Sequence, residues 1–264
     1  MALFKRKTAL DKEWIRLQKR EQRLLQSRMD KKERALDALL AQKVPARLQE
    51  TLNAAFLRAF MLVFEKGTGI IEKTYRKERL ARACVEDRDA VKSRQTKKTL
   101  RAPAKKAART GRGNMLFSGA AGIGLGVLGV GLPDIPLFTA QLLRNLYEIA
   151  LHYGYGYESG RERVFILLLI CGGLADGGAL CGVNARIDRM IEGGAETMDL
   201  GDALKGASEA LSRELLCMKF LQGIPVVGAV GGAYDMVCMK RVNTYAAIKY
   251  QRRHLYDLRA KDAR

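Results

Sequence analysis

All but one unit of this chain's net charge of +19 lies in its first 113 residues. Residues 1–113 carry 31 Lys and Arg against 13 Asp and Glu, whereas residues 114–264 carry 16 against 15. The fold must solvate the first half and can bury much of the second, because unpaired charges do not enter a core. With 264 residues, 48% of them hydrophobic, the chain can form one large domain or two small ones around a sizeable core.

The local signals are helical. Residues 9–41 lack Gly and Pro, and Trp14, Leu17, Leu24, Leu25, Leu36, Leu39 and Leu40 give them a thin apolar stripe, which predicts one long helix. That helix is either partly docked and solvated, or an arm that lies on anionic lipid. Pro45 suits the first turn of a second helix carrying Leu48, Leu52, Phe56, Phe60 and Val63, with a stop at Phe64 to Gly69. Ile70 to Lys92 reads as a further helix. Lys97, Lys98, Arg101, Lys105, Lys106 and Arg109 then follow with no acid between them, a candidate anion-binding or membrane-binding surface.

Met115 to Pro133 is 19 residues without a charge, near the ~20 that span a bilayer core, but six of them are Gly. The segment reads as a buried or membrane-resting hairpin, with a true span as the alternative. Asp134 and Pro136 start a helix to about Tyr153, which Gly154 closes; Arg161 to Leu174, Leu200 to Leu221 and Val226 to Arg259 are further helices. No alternating strand pattern persists. The fold class is all-α: a multi-helix domain with glycine-rich apolar helices in its core. A basic helical extension, residues 1–43, precedes a domain over residues 44–264. Gly122 with Gly126, and Gly228 with Gly232, are four apart and would open grooves for close helix packing.

Gly124 to Gly129 satisfies G-x-G-x-x-G, yet no strand precedes it and Pro133 and Pro136 interrupt the following helix, so the glycines fit packing better than a dinucleotide. Arg144, Glu148 and His152 line one side of a helix. With Asp176 they are the candidates for hydrolytic or lipid-modifying chemistry, should the fold bring them together. Asp176 sits in an apolar, glycine-rich stretch and needs a partner, for which Arg144 and Arg186 are candidates. No metal site and no cofactor are expected: H-E-x-x-H is absent and His254, the other His, lies in a basic tail. The five Cys form no C-x-x-C pair, the usage of a reducing compartment, and no apolar stretch follows the basic start as a secretory signal would require.

Gly131-Leu132-Pro133-Asp134-Ile135-Pro136-Leu137-Phe138, Arg144, Tyr147-Glu148-Ile149-Ala150, Tyr153-Gly154-Tyr155 and Glu162-Arg163-Val164-Phe165 together resemble the EcsC family. Ile224 to Ala233, leading through Arg241-Val242 to Ala247 and Tyr250, is similar to that family's second signature, and Phe64 to Thr68 to an upstream element. The likeness runs from about residue 44 to 257, leaving 1–43 outside it. Gly156, Gly160 and Arg161 depart from an acidic and proline-bearing turn common in the family. Asp134, Arg144, Glu148, Glu162 and Arg163 match recurrent polar positions.

The resemblance implies a bacterial accessory protein, cytoplasmic but associated with the inner face of the membrane, linked to an ABC transporter, with no established enzymatic activity or cofactor. An anionic membrane surface is the expected partner. Nucleic acid is the rival on charge alone, without interleaved aromatics or a recognised motif to support it.

Overall fold

The computed structural model describes residues 7–29, 44–114, 135–195, 198–221 and 232–262, and every regular element among them is helical. Among the described residues there are ten α-helices: α1 (Ala9–Met29), α2 (Ala46–Leu62), α3 (Thr68–Lys73), α4 (Lys77–Ser93), α5 (Lys97–Asn114), α6 (Ile135–His152), α7 (Gly160–Leu174), α8 (Gly177–Ile191), α9 (Leu200–Leu221) and α10 (Gly232–Asp262). The all-α expectation holds.

The apolar pattern of α7 places it at the centre. Val164 to Ile170 are all buried, so this helix has no solvent side and needs neighbours all round. It packs against α9, α10 and α8, while α6 lies against α2, α4, α5 and α10, and α2 also covers α9. Ser159 begins α7 by accepting a hydrogen bond from the Glu162 amide at 3.2 Å. The predicted closure of α6 is present too, with Gly154 at φ +82°.

The glycines that let helices meet are Gly172 and Gly173. A methyl group on Gly172 would lie 2.5 Å from the Tyr245 ring, and one on Gly173 would lie 2.7 Å from the Val242 backbone. Two bare positions therefore let α7 and α10 approach backbone to side chain. Of the glycines expected in this role, Gly122, Gly126 and Gly228 lie outside the described residues, as does the whole of 115–133; Gly232 is the first residue of α10.

Three boundaries differ from expectation. No stop occurs at Phe64 to Gly69: a π-helical turn, Val63–Gly67, carries the chain on into α3. Val63, Phe64 and Ile71 are buried, so one apolar face runs through the turn, and Thr68 Oγ1 donates back to the Val63 carbonyl at 2.9 Å. The helix expected over 70–92 breaks at 74–76, where the Tyr75 hydroxyl meets that of Tyr157 at 2.6 Å. Residues 177–191, glycine-bearing and not assigned from the sequence, form α8. Among the described residues no helix is long and apolar enough to cross a membrane.

Gly173→Ala should destabilise the protein by about 1–3 kcal/mol, since the backbone of Val242 must shift to admit the methyl group. Gly182→Ala, on the exposed face of α8 with open space around it, should instead stabilise by about 0.5–1 kcal/mol. Urea denaturation of the two variants checks the contrast.

Candidate functional site

The basic N-terminal helix is docked. Leu10, Leu17, Glu13, Glu21 and Arg28 of α1 are buried, and the helix packs on α10, α8 and α5. Its inward acids leave the outer side cationic: Lys12, Arg16, Lys19, Arg20 and Arg23 are all exposed.

The neighbouring α5 adds to this surface. Lys97, Lys98, Lys105 and Arg109 are exposed, whereas Leu100, Pro103 and Ala107 face inward. At 100° per residue, Lys98, Lys105 and Arg109 fall within an arc of about 40°. Two members of the expected basic set are engaged elsewhere: Arg101 donates to Glu13 at 2.7 Å, and Lys106 to Asp87 at 2.7 Å. The Arg101–Glu13 pair joins α5 to α1.

Beneath α1 lies a cluster in which two cations face two carboxylates, with the more exposed Glu192 at its edge, 3.5 Å from Arg252. Lys249, whose side chain has no exposed surface, donates to Glu21 at 2.5 Å and to Asp188 at 2.7 Å. Arg252 donates to Glu21 at 2.8 Å and lies 3.3 Å from Asp188. Burial makes each charge costly alone, so the cluster is stable only complete. Glu21 comes from α1, Asp188 from α8, and both cations from α10.

Asp176 is held by neither Arg144 nor Arg186. Among the described residues it pairs with Arg28 of α1 and Arg241 of α10, each at 3.1 Å, and Arg241 also reaches Glu214 at 3.0 Å. The same guanidiniums accept no proton and donate further, Arg28 to the carbonyls of Gly173 and Ala175 and Arg241 to that of Leu174. They thereby satisfy the C-terminal end of α7, where partial negative charge collects. Burial and the facing Arg241 lower the pKa of Arg28 from its usual value. Asp176 also borders a cavity of about 620 Å³ between α7, α8, α9 and the start of α2.

Arg144, Glu148 and His152 do not line that cavity. Arg144 donates to Glu148 at 2.9 Å along α6, and His152 is buried on the side where Lys106 and Asp87 lie. The four residues considered for catalysis are thus split between α6 and the α7–α8 junction. Burial and the charge of Lys106 push the His152 imidazole down to about 4.

Of the remaining recurrent polar positions, Asp134 lies outside the described residues. Glu162 is a helix clamp: it accepts from Tyr250 and from Arg253, both at 2.7 Å, tying α7 to α10. Arg253 in turn lies 4.0 Å from the Tyr155 ring centre. Arg163 sits 5.2 Å over the Phe64 ring. Among the described residues no group of His, Cys, Asp or Glu could hold a metal ion.

Sequence reasoning missed Glu21, Arg28, Arg241 and Lys249. A signal existed on α1, because Glu21 and Arg28 fall one helical turn after Leu17 and Leu24, in phase with the apolar stripe.

Among the described residues these features define an all-α domain whose N-terminal helix is locked to the body by buried ion pairs and turns five cations outward. The chain belongs to the EcsC protein family, whose model matches residues 11–255. The match takes in most of α1, which motif likeness alone had left out. No curated protein and no solved structure matches the chain.

Lys249→Ala leaves Glu21 and Asp188 facing each other around Arg252, and should cost about 3–5 kcal/mol in urea denaturation. His152 predicts a pH effect. Its folded pKa lies below the unfolded 6.5, so the unfolded chain binds the proton first and stability falls as pH drops below 6.5. The urea midpoint should therefore decline from pH 7 to 5.5, before most carboxylates titrate, and decline less in His152→Leu.

Proposed function

We propose that this protein is an accessory protein that docks on the anionic inner face of the cell membrane through the outer sides of α1 and α5. There it works by contact with a membrane-bound partner, an ABC transporter being the kind the family likeness suggests. The observation that supports this most is the separation of charge on α1: Glu13 and Glu21 turn inward while five cations turn out. Four exposed cations of α5 lie on the adjoining helix, joined through Arg101 and Glu13. A Lys or Arg near an anionic leaflet contributes about 1 kcal/mol, so engaging half of these nine would hold the protein at low salt. The uncharged segment 115–133 follows α5 directly in the chain.

Sedimentation with vesicles containing phosphatidylglycerol should show binding that falls steeply as salt rises. Replacing Arg20, Lys98, Lys105 and Arg109 together with Gln should weaken it about 10-fold or more without changing the urea midpoint. No binding at any salt, or equal binding to neutral vesicles, contradicts the proposal. If RNA displaces the protein from anionic vesicles at equal phosphate, the cationic side serves nucleic acid instead.

A further inference from the structure

Helix α2 turns one side to the body and leaves the other open. It packs on α6 and α9, burying Leu52, Phe56, Ala59 and Phe60. The opposite side carries Arg47, Thr51, Ala54, Arg58 and Met61, all exposed, and Glu65 continues the row from the π-helical turn. Successive members of the row are four, three, four, three and four residues apart, the spacing of a seam along which two helices lie side by side. Leu62 is exposed beside Met61, so large apolar side chains border the seam in solvent.

The row is its own complement. Arg47 and Glu65 lie nine residues either side of Phe56, Thr51 and Met61 five, and Ala54 and Arg58 two. A two-fold axis beside Phe56 therefore brings a second, antiparallel α2 into place with Glu65 opposite Arg47, Met61 opposite Thr51, and the long Arg58 opposite the small Ala54. Glu50, also exposed, is one turn from Ala54, on the path of the guanidinium that crosses it. Among the described residues no carboxylate pairs with Arg47 or Arg58 and no cation with Glu50 or Glu65, so all four charges are available to this contact.

This face is neutral, two cations against two carboxylates, in a chain of net charge +19. Two copies can meet here without the repulsion that their cationic sides would bring. A different partner does not require the row to be symmetric, whereas an isologous dimer does.

We propose that two copies of this protein associate through α2, antiparallel about a two-fold axis, with Arg47 of each facing Glu65 of the partner subunit. One helix face from each copy makes a small interface, so the dimer is weak and forms at high local concentration.

Sedimentation equilibrium of the full-length protein across the micromolar range is the test. The wild type is expected to show a monomer–dimer equilibrium. Arg47→Glu sets carboxylate against carboxylate at both ends of the seam, and Glu65→Arg sets cation against cation, so each should weaken dimerisation about 10-fold or more. The two substitutions combined restore opposite charges and should return the dissociation constant to within about 3-fold of the wild type. Both side chains are exposed, so the urea midpoint should be the same in all three variants.

A protein that stays monomeric overturns the proposal. A dimer that both single reversals leave intact, or that the combined variant fails to restore, overturns it as well, since the contact then lies on another face or in another register. Open-ended oligomers contradict it too, because a two-fold contact closes at two copies.

Discussion

The buried contact between Glu21 and Lys249 is the constraint on which the arrangement of this molecule turns. A lysine with no exposed surface cannot remain charged without carboxylates, and one of its two comes from a helix more than 200 residues away in sequence. That requirement fixes α1 against α10 and α8. Glu13 with Arg101 and Arg28 with Asp176 repeat the arrangement at the two ends of the helix. Because the anchors are ionic, they fix register: sliding α1 by one residue would leave several buried charges unmatched. The same anchoring draws Glu13 and Glu21 of α1 inward and leaves Lys12, Arg16, Lys19, Arg20 and Arg23 on the outside.

Arg28 and Arg241 link this anchoring to the core. Their guanidiniums meet the last carbonyls of α7, so the chain can leave the central helix and begin α8 within two residues, Ala175 and Asp176. The carboxylate of Asp176 is held by those arginines and makes no hydrogen bond to the amides of its own helix. On one side of this junction Gly172 and Gly173 bring α10 close; on the other the small residues of α9 leave a cavity. Small residues thus serve opposite ends on two sides of α7, tight contact and open space.

Much of the architecture was legible in the sequence. Gly154 and the length of α6, the apolar core of α7 and the span of α9 follow from periodicity and stop signals. What was not legible depends on distance in the chain. Asp176 announced its need for a cation, but nothing local distinguishes Arg28 or Arg241 from Arg144 or Arg186. The π-helical turn at Val63–Gly67 survives its glycine because Phe64 and Ile71 bury on one continuous face, a tertiary gain that overrides local propensity. Helix α8 was not singled out in the sequence, although Leu180, Ile187 and Ile191 mark its inward side. Of the basic run at 97–109, composition could not separate Lys98, Lys105 and Arg109, which are exposed, from Arg101 and Lys106, which pair with Glu13 and Asp87.

Held by these ion pairs, α1 is an integral part of the domain. Native-state hydrogen exchange measures this directly, residue by residue. The buried ion pairs predict that amides of Leu17 to Leu25 exchange only with global unfolding, with the same free energy and denaturant dependence as those in the middle of α7 and α10. Fast exchange of α1, insensitive to denaturant while α7 and α10 stay protected, would contradict it.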